Sequence, residues 1–225
     1  MIYDGWELHN FDKANIYRKY QFSLIKKSIK GSILEVGPGN CVYLENYLKI
    51  GSSVTLVETT KKYFNLLKKR SKRIILKKSL NSLKKESFDT ILYLDVLEHI
   101  KNDHLELNKA YNLLKKGGIL IICVPAFQFL YSSYDKKIGH YRRYDKSSFL
   151  KLLKKCNINN YKMRYFDFIG ACLIFFSKIF LKDSLGNFSL KIKLWNFLIP
   201  VSFLFDLFLL KFFFGKSLLI KITKN

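Results

Sequence analysis

The stretch Ile33-Leu-Glu-Val-Gly-Pro-Gly-Asn40 constrains this chain more than any other. Ser32 to Val36 is a short apolar run of strand type, and two glycines follow it at once. Cys41 to Ile50 reads as a helix, with Val42, Leu44, Tyr47 and Leu48 on one side. A strand, a glycine turn and a helix start make a cradle for an adenosine-type ligand. Gly37 and Gly39 supply the positive φ angles of a sharp turn and let a ligand approach the backbone. The helix start adds free N–H groups and the positive end of a dipole.

The next strand narrows the ligand. Ser53 to Val57 alternates and is rich in β-formers, and Glu58 stands at its end. An acid about 20 positions past such glycines is placed to hold a ribose hydroxyl pair. A nicotinamide dinucleotide wants Gly-x-Gly-x-x-Gly, and here Val42 takes the third place. S-adenosylmethionine has no pyrophosphate, and its carboxylate and amine still need the turn, so Glu35 and Gly-Pro-Gly suit it better. The expected cofactor set is Glu35, Gly37, Gly39 and Glu58, with Asp95 at the end of the fourth strand.

A chain of 225 residues fits one α/β domain with an ample core. Further strands read at Arg73–Lys77, Phe88–Asp95, Tyr161–Phe166 and Ser217–Thr223, and helices at Ala14–Lys30 and Lys61–Lys69. Tyr111–Lys116 ends another helix, with Gly117-Gly118 as its stop. Ile119–Val124 is a continuous apolar run, as expected of a strand buried on both faces. The alternation predicts a doubly wound parallel sheet, whose ligands sit at the carboxyl ends of the strands. Glu35, Glu58, Asp95 and Pro125 fall at that edge. Phe11, Asn15 and Tyr17, at the amino end of the first helix, are placed either to close over a ligand or to pack that helix on the sheet.

The formal net charge is +23, but the lysines are spread along the chain. This pattern predicts a solvated surface rather than a dedicated nucleic-acid patch. Cys41, Cys123, Cys156 and Cys172 lack paired metal spacing, so no metal is expected, and reduced buried thiols of a cytoplasmic protein are. The polar start, Met-Ile-Tyr-Asp-Gly-Trp-Glu, does not read as a signal peptide.

Together, Leu-Glu-Val-Gly-Pro-Gly, Leu-Val-Glu58, Phe88-Asp-Thr-Ile-Leu-Tyr-Leu-Asp-Val-Leu-Glu-His-Ile100, Leu114-Lys-Lys-Gly-Gly118 and Gly139-His-Tyr-Arg-Arg-Tyr144 resemble a class I S-adenosylmethionine-dependent methyltransferase. The nearest likeness is to a bacterial small-molecule subgroup with a His-x-Arg-Arg-Tyr loop after the fifth strand. The resemblance runs from about Asn15 to the Gly215-Lys-Ser-Leu-Leu end. It implies a Rossmann-like seven-stranded sheet with an antiparallel last strand and a helical insert before it. It also implies Glu35 and the glycine turn near the methionine part, and Glu58 on the ribose. Two departures stand out. Cys41 replaces a frequent third glycine, and Ser79–Ser82 offers no acid for the adenine amine. Amine-methylating nucleic-acid enzymes usually carry Asp/Asn-Pro-Pro-aromatic after the fourth strand, and Asp95-Val-Leu-Glu does not match.

The loop from Ala126 to Asp145 is dense in polar and aromatic residues and is expected to bind the acceptor. Tyr134, Arg142 and Arg143 are the candidate contacts. The arginines either fork onto an anionic acceptor or pair with Asp135, Asp145 or main-chain carbonyls. His140 or His99 is the candidate base for a hydroxyl acceptor. His104 and His9 read as surface residues. A small or lipid-linked acceptor methylated at oxygen is expected. A nicotinamide-dependent oxidoreductase and a non-catalytic adapter that keeps the fold are the alternatives.

Two apolar helical segments, Phe168–Leu181 and Leu190–Phe214, precede the last strand. Asp206 and Pro200 argue against a simple span. A cap on the sheet, an interfacial anchor and a dimer surface compete. The expectation is a cap over residues 168–214 that also touches a membrane weakly. Lys178, Lys182, Lys191, Lys193 and Lys211 would face anionic lipid, which would make the protein peripheral to the membrane.

Overall fold

Strand and helix patterns resolve into one seven-stranded sheet in a computed structural model that describes residues 13–180 and 188–225. The expectations for the amino-terminal stretch, His9, Phe11 and Lys182 lie outside these residues. The strands are β1 (Ser32–Val36), β2 (Ser53–Val57), β3 (Ile74–Lys77), β4 (Phe88–Leu94), β5 (Leu114–Pro125), β6 (Tyr161–Phe166) and β7 (Ser217–Thr223). Their order is β3-β2-β1-β4-β5-β7-β6. β1 to β5 are parallel, and β7 runs antiparallel between β5 and β6. The helices are α1 (Asn15–Ile25), α2 (Leu44–Ile50), α3 (Lys61–Arg70), α4 (Asp103–Leu113), α5 (Ser133–Lys137), α6 (Lys146–Lys155), α7 (Phe168–Phe180) and α8 (Phe188–Leu207).

Side-chain alternation divides the apolar residues between two cores. Leu34, Ile91, Leu120 and Ile122 share one cluster with Leu107 of α4 and Phe149 of α6. Ile33, Leu56, Ile121 and Leu219 share the other with Tyr20 of α1 and Trp195 of α8. A sheet covered on both faces exposes functional backbone only at its ends. In register, Val36 lies beside Val57 and Tyr93. The residues just beyond those three strands, Gly37, Glu58 and Asp95, therefore emerge at one edge.

Two local expectations are corrected. The helix after the glycine turn starts at Leu44, not Cys41. Cys41 has a φ of 47°, which no helical residue adopts. The chain first makes two turns, closed by Cys41 N–H to Pro38 O and Leu44 N–H to Cys41 O. The helix before β5 ends at Leu113, ahead of the glycine pair, because Leu114 already pairs with Phe88. Gly117, at φ 72°, instead forms a bulge-like irregularity and donates its N–H to Lys224 O.

Residues 168–214 leave the sheet after β6 and return at β7 as α7, α8 and a short 3-10 turn. Two buried acids pin them down. Asp206 accepts hydrogen bonds from Tyr20 Oη (2.5 Å), Asp167 N–H (2.6 Å) and Phe168 N–H (3.3 Å). Asp167 accepts from Trp195 Nε1, Ser202 Oγ and Gly170 N–H. The inner side of the insert is thus built on α1 and the end of β6. The outer side is not covered: Phe197, Phe208 and Phe213 are 72, 72 and 70% exposed. Among the described residues, no helix is long and apolar enough to cross a membrane.

Candidate active site

The glycine turn has the backbone its sequence requires. Gly37 and Gly39 have φ of 64° and 57°, a region costly for side-chain-bearing residues. A Cβ on Gly37 would also lie 2.9 Å from Val96 Cγ2. Glu58 closes the turn from the neighbouring strand, accepting from Gly39 N–H at 3.0 Å and Thr60 N–H at 2.7 Å. Glu35 lies buried beneath it. Burial drives its carboxyl up to about 7, although the Cys41 thiol, 3.2 Å away, donates to it. The departure at Cys41 therefore turns into the core instead of narrowing the pocket.

Asp95 ends β4 with a φ of 56° and opens onto the same edge. Its carboxylate accepts from Gln21 Nε2 at 3.4 Å, and Gln21 Oε1 accepts from Tyr43 Oη at 2.8 Å. Gln21 comes from α1, so that helix supplies a polar group to the site as well as packing. Tyr17 lines the cavity beside it and packs on Trp195, with ring centroids 4.5 Å apart.

One cavity of about 1640 Å3 runs from this turn to the insert. Glu35, Gly37, Gly39, Glu58 and Asp95 line one end, and Ser79 and Asn81 lie there without any acid nearby in the turn. At the other end stand Tyr134, His99, His140 and Arg143, with Leu173, Ile174 and Leu194 from the insert. Lys216 lies between them, its ammonium 3.5 Å from the Trp195 ring centre and 3.6 Å from Asp167 Oδ2. Burial pulls that ammonium below its usual range, while Asp167 and Asp95 pull it back.

The 126–145 loop is held by two acids. Asp135 accepts both arms of Arg143, Nε at 2.8 Å and Nη2 at 2.9 Å, and also bonds His140 Nδ1 at 2.7 Å. The same carboxylate caps α5 by accepting from Ser132 N–H and Oγ. Asp103, at the start of α4, accepts from Arg142 Nη1 at 2.5 Å and Tyr144 Oη at 2.9 Å. Burial pushes the Asp135 carboxyl up, but His140 and Arg143 outweigh it and leave it at about 2.

These contacts correct the arginine expectation. Arg142 lies outside the cavity, its charge matched by Asp103 and its Nη2 on Lys101 O. Arg143 reaches the cavity wall, but its fork is filled by Asp135. Of the two readings weighed for them, the geometry matches loop fixing rather than an anion clamp.

His140 and His99 meet edge to face, with ring centroids 4.6 Å apart. Burial and the neighbouring His140 hold His99 down to about 4. The sequence reading passed over Glu98, the residue between Leu97 and His99. It is fully buried, and His140 Nε2 lies 3.7 Å from its Oε1. The signal was an acid two positions into a helical turn that follows a strand end. Gln21 and Lys216 were also missed, because each sits among ordinary helix or loop residues.

Comparison with known proteins accords with this geometry. A family described as "Methyltransferase domain" matches residues 34–122. An uncharacterized protein of Methanocaldococcus jannaschii is 30% identical over 170 residues, covering 71% of this chain and 78% of that one. A protein of Pelagibacter ubique named ubiquinone biosynthesis O-methyltransferase is 30% identical over 129 residues, covering 51% of this chain and 54% of its own. Among solved structures, Haemonchus contortus phosphoethanolamine N-methyltransferase 2, bound to phosphomonomethylethanolamine and S-adenosylhomocysteine, aligns with a TM-score of 0.65. It is 15% identical, over 97% of this chain and 57% of that one. The residues present fit S-adenosylmethionine. The turn presents bare backbone, acids follow β2 and β4 on either side of β1, and the cavity is large enough for cofactor and acceptor together. The chain belongs to the class I S-adenosylmethionine-dependent methyltransferases, enzymes that take S-adenosylmethionine as their cofactor.

Proposed function

We propose that the enzyme methylates a hydroxyl oxygen on a small acceptor that carries an apolar, lipid-like part. The observation behind this reading is the continuity of one cavity from the glycine turn to the apolar wall of Leu173, Ile174 and Leu194. The cofactor supplies a methyl group already activated on a sulfonium. Much of the remaining work is alignment of the acceptor with that carbon. Glu35, Gly37, Gly39, Glu58 and Asp95 hold and orient the cofactor. Tyr134 and the insert position the acceptor.

A hydroxyl is a weak nucleophile at neutral pH and needs help to lose its proton. The His140–Asp135 pair suits that role. The carboxylate on Nδ1 fixes the ring, and Nε2 is the nitrogen left to act toward the cavity. His99 is neutral at pH 7, since its imidazole titrates near 4. The name of the Pelagibacter relative, an O-methyltransferase, supports oxygen as the acceptor atom.

The exposed outer face of the insert supports access from a lipid surface. Large apolar side chains left in water cost roughly 25 cal/mol per Å2, and the net charge of +23 favours an anionic membrane. Contact would be peripheral, at the membrane surface.

The test offers the enzyme methyl-labelled S-adenosylmethionine with phenolic and amine-headed lipids of equal chain length, in anionic vesicles. Label in a methyl ether is expected. Label in the amine lipid alone would overturn the oxygen assignment. Equal turnover of a water-soluble phenol, with no sedimentation on vesicles, would remove the lipid part.

A further inference from the structure

Glu98, His99 and His140 form a cluster that the sequence spacing did not suggest as a metal site. Their ligating atoms all lie within 4.8 Å of one another. All three line the cavity. We infer that they form a site for a divalent transition-metal ion, set where the acceptor oxygen enters.

Glu98 carries the argument. Its side chain is 0% exposed, and neither carboxylate oxygen has a hydrogen-bond partner. A buried carboxylate without partners is costly and calls for a cation or a proton. The positive group whose charge acts on it, the Arg143 guanidinium, is already forked onto Asp135. His140 Nε2 stands 3.7 Å from Glu98 Oε1, too far for a hydrogen bond. Two ligands bound to one ion at about 2.0–2.2 Å lie roughly 3.3–3.7 Å apart at tetrahedral to trigonal angles. The observed gap is the one a bridging ion would leave.

The surroundings match those of metal-binding histidines. Asp135 bonds His140 Nδ1 at 2.7 Å, so the ring's other nitrogen is the one directed at Glu98. A carboxylate behind a ligating imidazole fixes its tautomer and raises its basicity. Tyr141 N–H donates to Glu98 O at 2.8 Å, tying the loop with His140 to the turn with Glu98 and His99. The three ligands are therefore held by structure already present.

Two imidazoles and one carboxylate favour Mn2+, Fe2+, Co2+ or Zn2+ over Mg2+ or Ca2+. Three protein ligands leave positions open, and a hydroxyl oxygen of the acceptor would fill one; with the ion bound, His140 Nε2 would be a ligand rather than the base, and the ion would acidify that hydroxyl in its place. The use of the site rests on the hydroxyl-methylation reading; its existence does not.

The test uses chelator-stripped full-length protein. Binding of Mn2+ is followed by loss of the free-ion paramagnetic resonance signal, and binding of Zn2+ by calorimetry. One equivalent should bind, at least tenfold weaker in Glu98→Gln. His99→Asn gives a second reading of the same loss if the first variant folds poorly. Binding of neither ion, or equal binding in both variants, would overturn the site. S-adenosylmethionine is titrated in parallel. Cofactor binding without metal binding would reject the metal alone. Metal binding without cofactor binding would reject the functional reading and leave the site.

Discussion

The end of this cavity proposed for the cofactor and the end proposed for the acceptor are built in different ways. At the cofactor end, backbone does most of the work. Gly37 and Gly39 hold left-handed angles, and the acids stand one residue beyond their strands. At the acceptor end, side chains do it. Asp135 gathers Ser132, His140 and Arg143, and Asp103 gathers Arg142 and Tyr144. A backbone cradle follows from a short motif. A side-chain network depends on residues that only the fold brings together.

The comparison predicts that the acceptor end, not the glycine turn, carries the larger share of stability in its charges. Arg143→Ala should cost about 3–5 kcal/mol, because it strips a buried carboxylate of its guanidinium and leaves it only His140 and Ser132. Thermal and denaturant unfolding measure this. The pH dependence checks the cause. Asp135 titrates near 2 in the folded protein, below its ordinary value near 3.8. Its contribution is present above about 4 and is lost as the pH falls toward 2. Arg143→Ala should flatten that acid limb. A stable variant with an unchanged acid limb would mean that the fork holds little together.

At the cofactor end the sign reverses. The Glu35 carboxyl titrates near 7 when folded, above its ordinary 4.5. The native state keeps a proton that the unfolded chain has released, so stability is greatest below about 4.5 and falls as the pH rises to about 7. The deficit above 7 is about 3 kcal/mol. Glu35→Gln should remove it, making the unliganded variant more stable than the parent at pH 8 but not at pH 4. Parallel stability curves for the two proteins would show that Glu35 does not titrate in this range.

Legibility in the sequence follows the same division. The alternating strands and helices of the sheet were readable because apolar alternation and glycine are local signals, whereas its antiparallel last strand came from the family resemblance. The loop was readable as a cluster, but not as a circuit. Asp103 lies far from Arg142 in sequence, and nothing local announces their pairing. Glu98 was hidden for a related reason. Its meaning depends on His140, which arrives from a different loop. The start of α2 was misplaced because Cys41 takes a left-handed angle usually left to glycine or asparagine.

The insert adds a smaller contrast. Its inner acids, Asp167 and Asp206, are satisfied by named partners, while Phe197, Phe208 and Phe213 stay in solvent. The inner side is architecture, and the outer side is an uncovered apolar surface.

Cofactor affinity in two variants tests the central claim most directly. That claim is that one cavity holds a backbone-built cofactor end and a separate, side-chain-built acceptor end. Calorimetric titration with S-adenosylmethionine is made on Glu58→Ala and His140→Ala, each first shown to be folded by its thermal transition. Glu58→Ala loses a charge-assisted contact of roughly 1.5–3 kcal/mol and should bind about ten- to a hundredfold more weakly. His140→Ala should bind as the parent does, within about twofold. Full affinity in Glu58→Ala, or an equal loss in His140→Ala, would contradict the division.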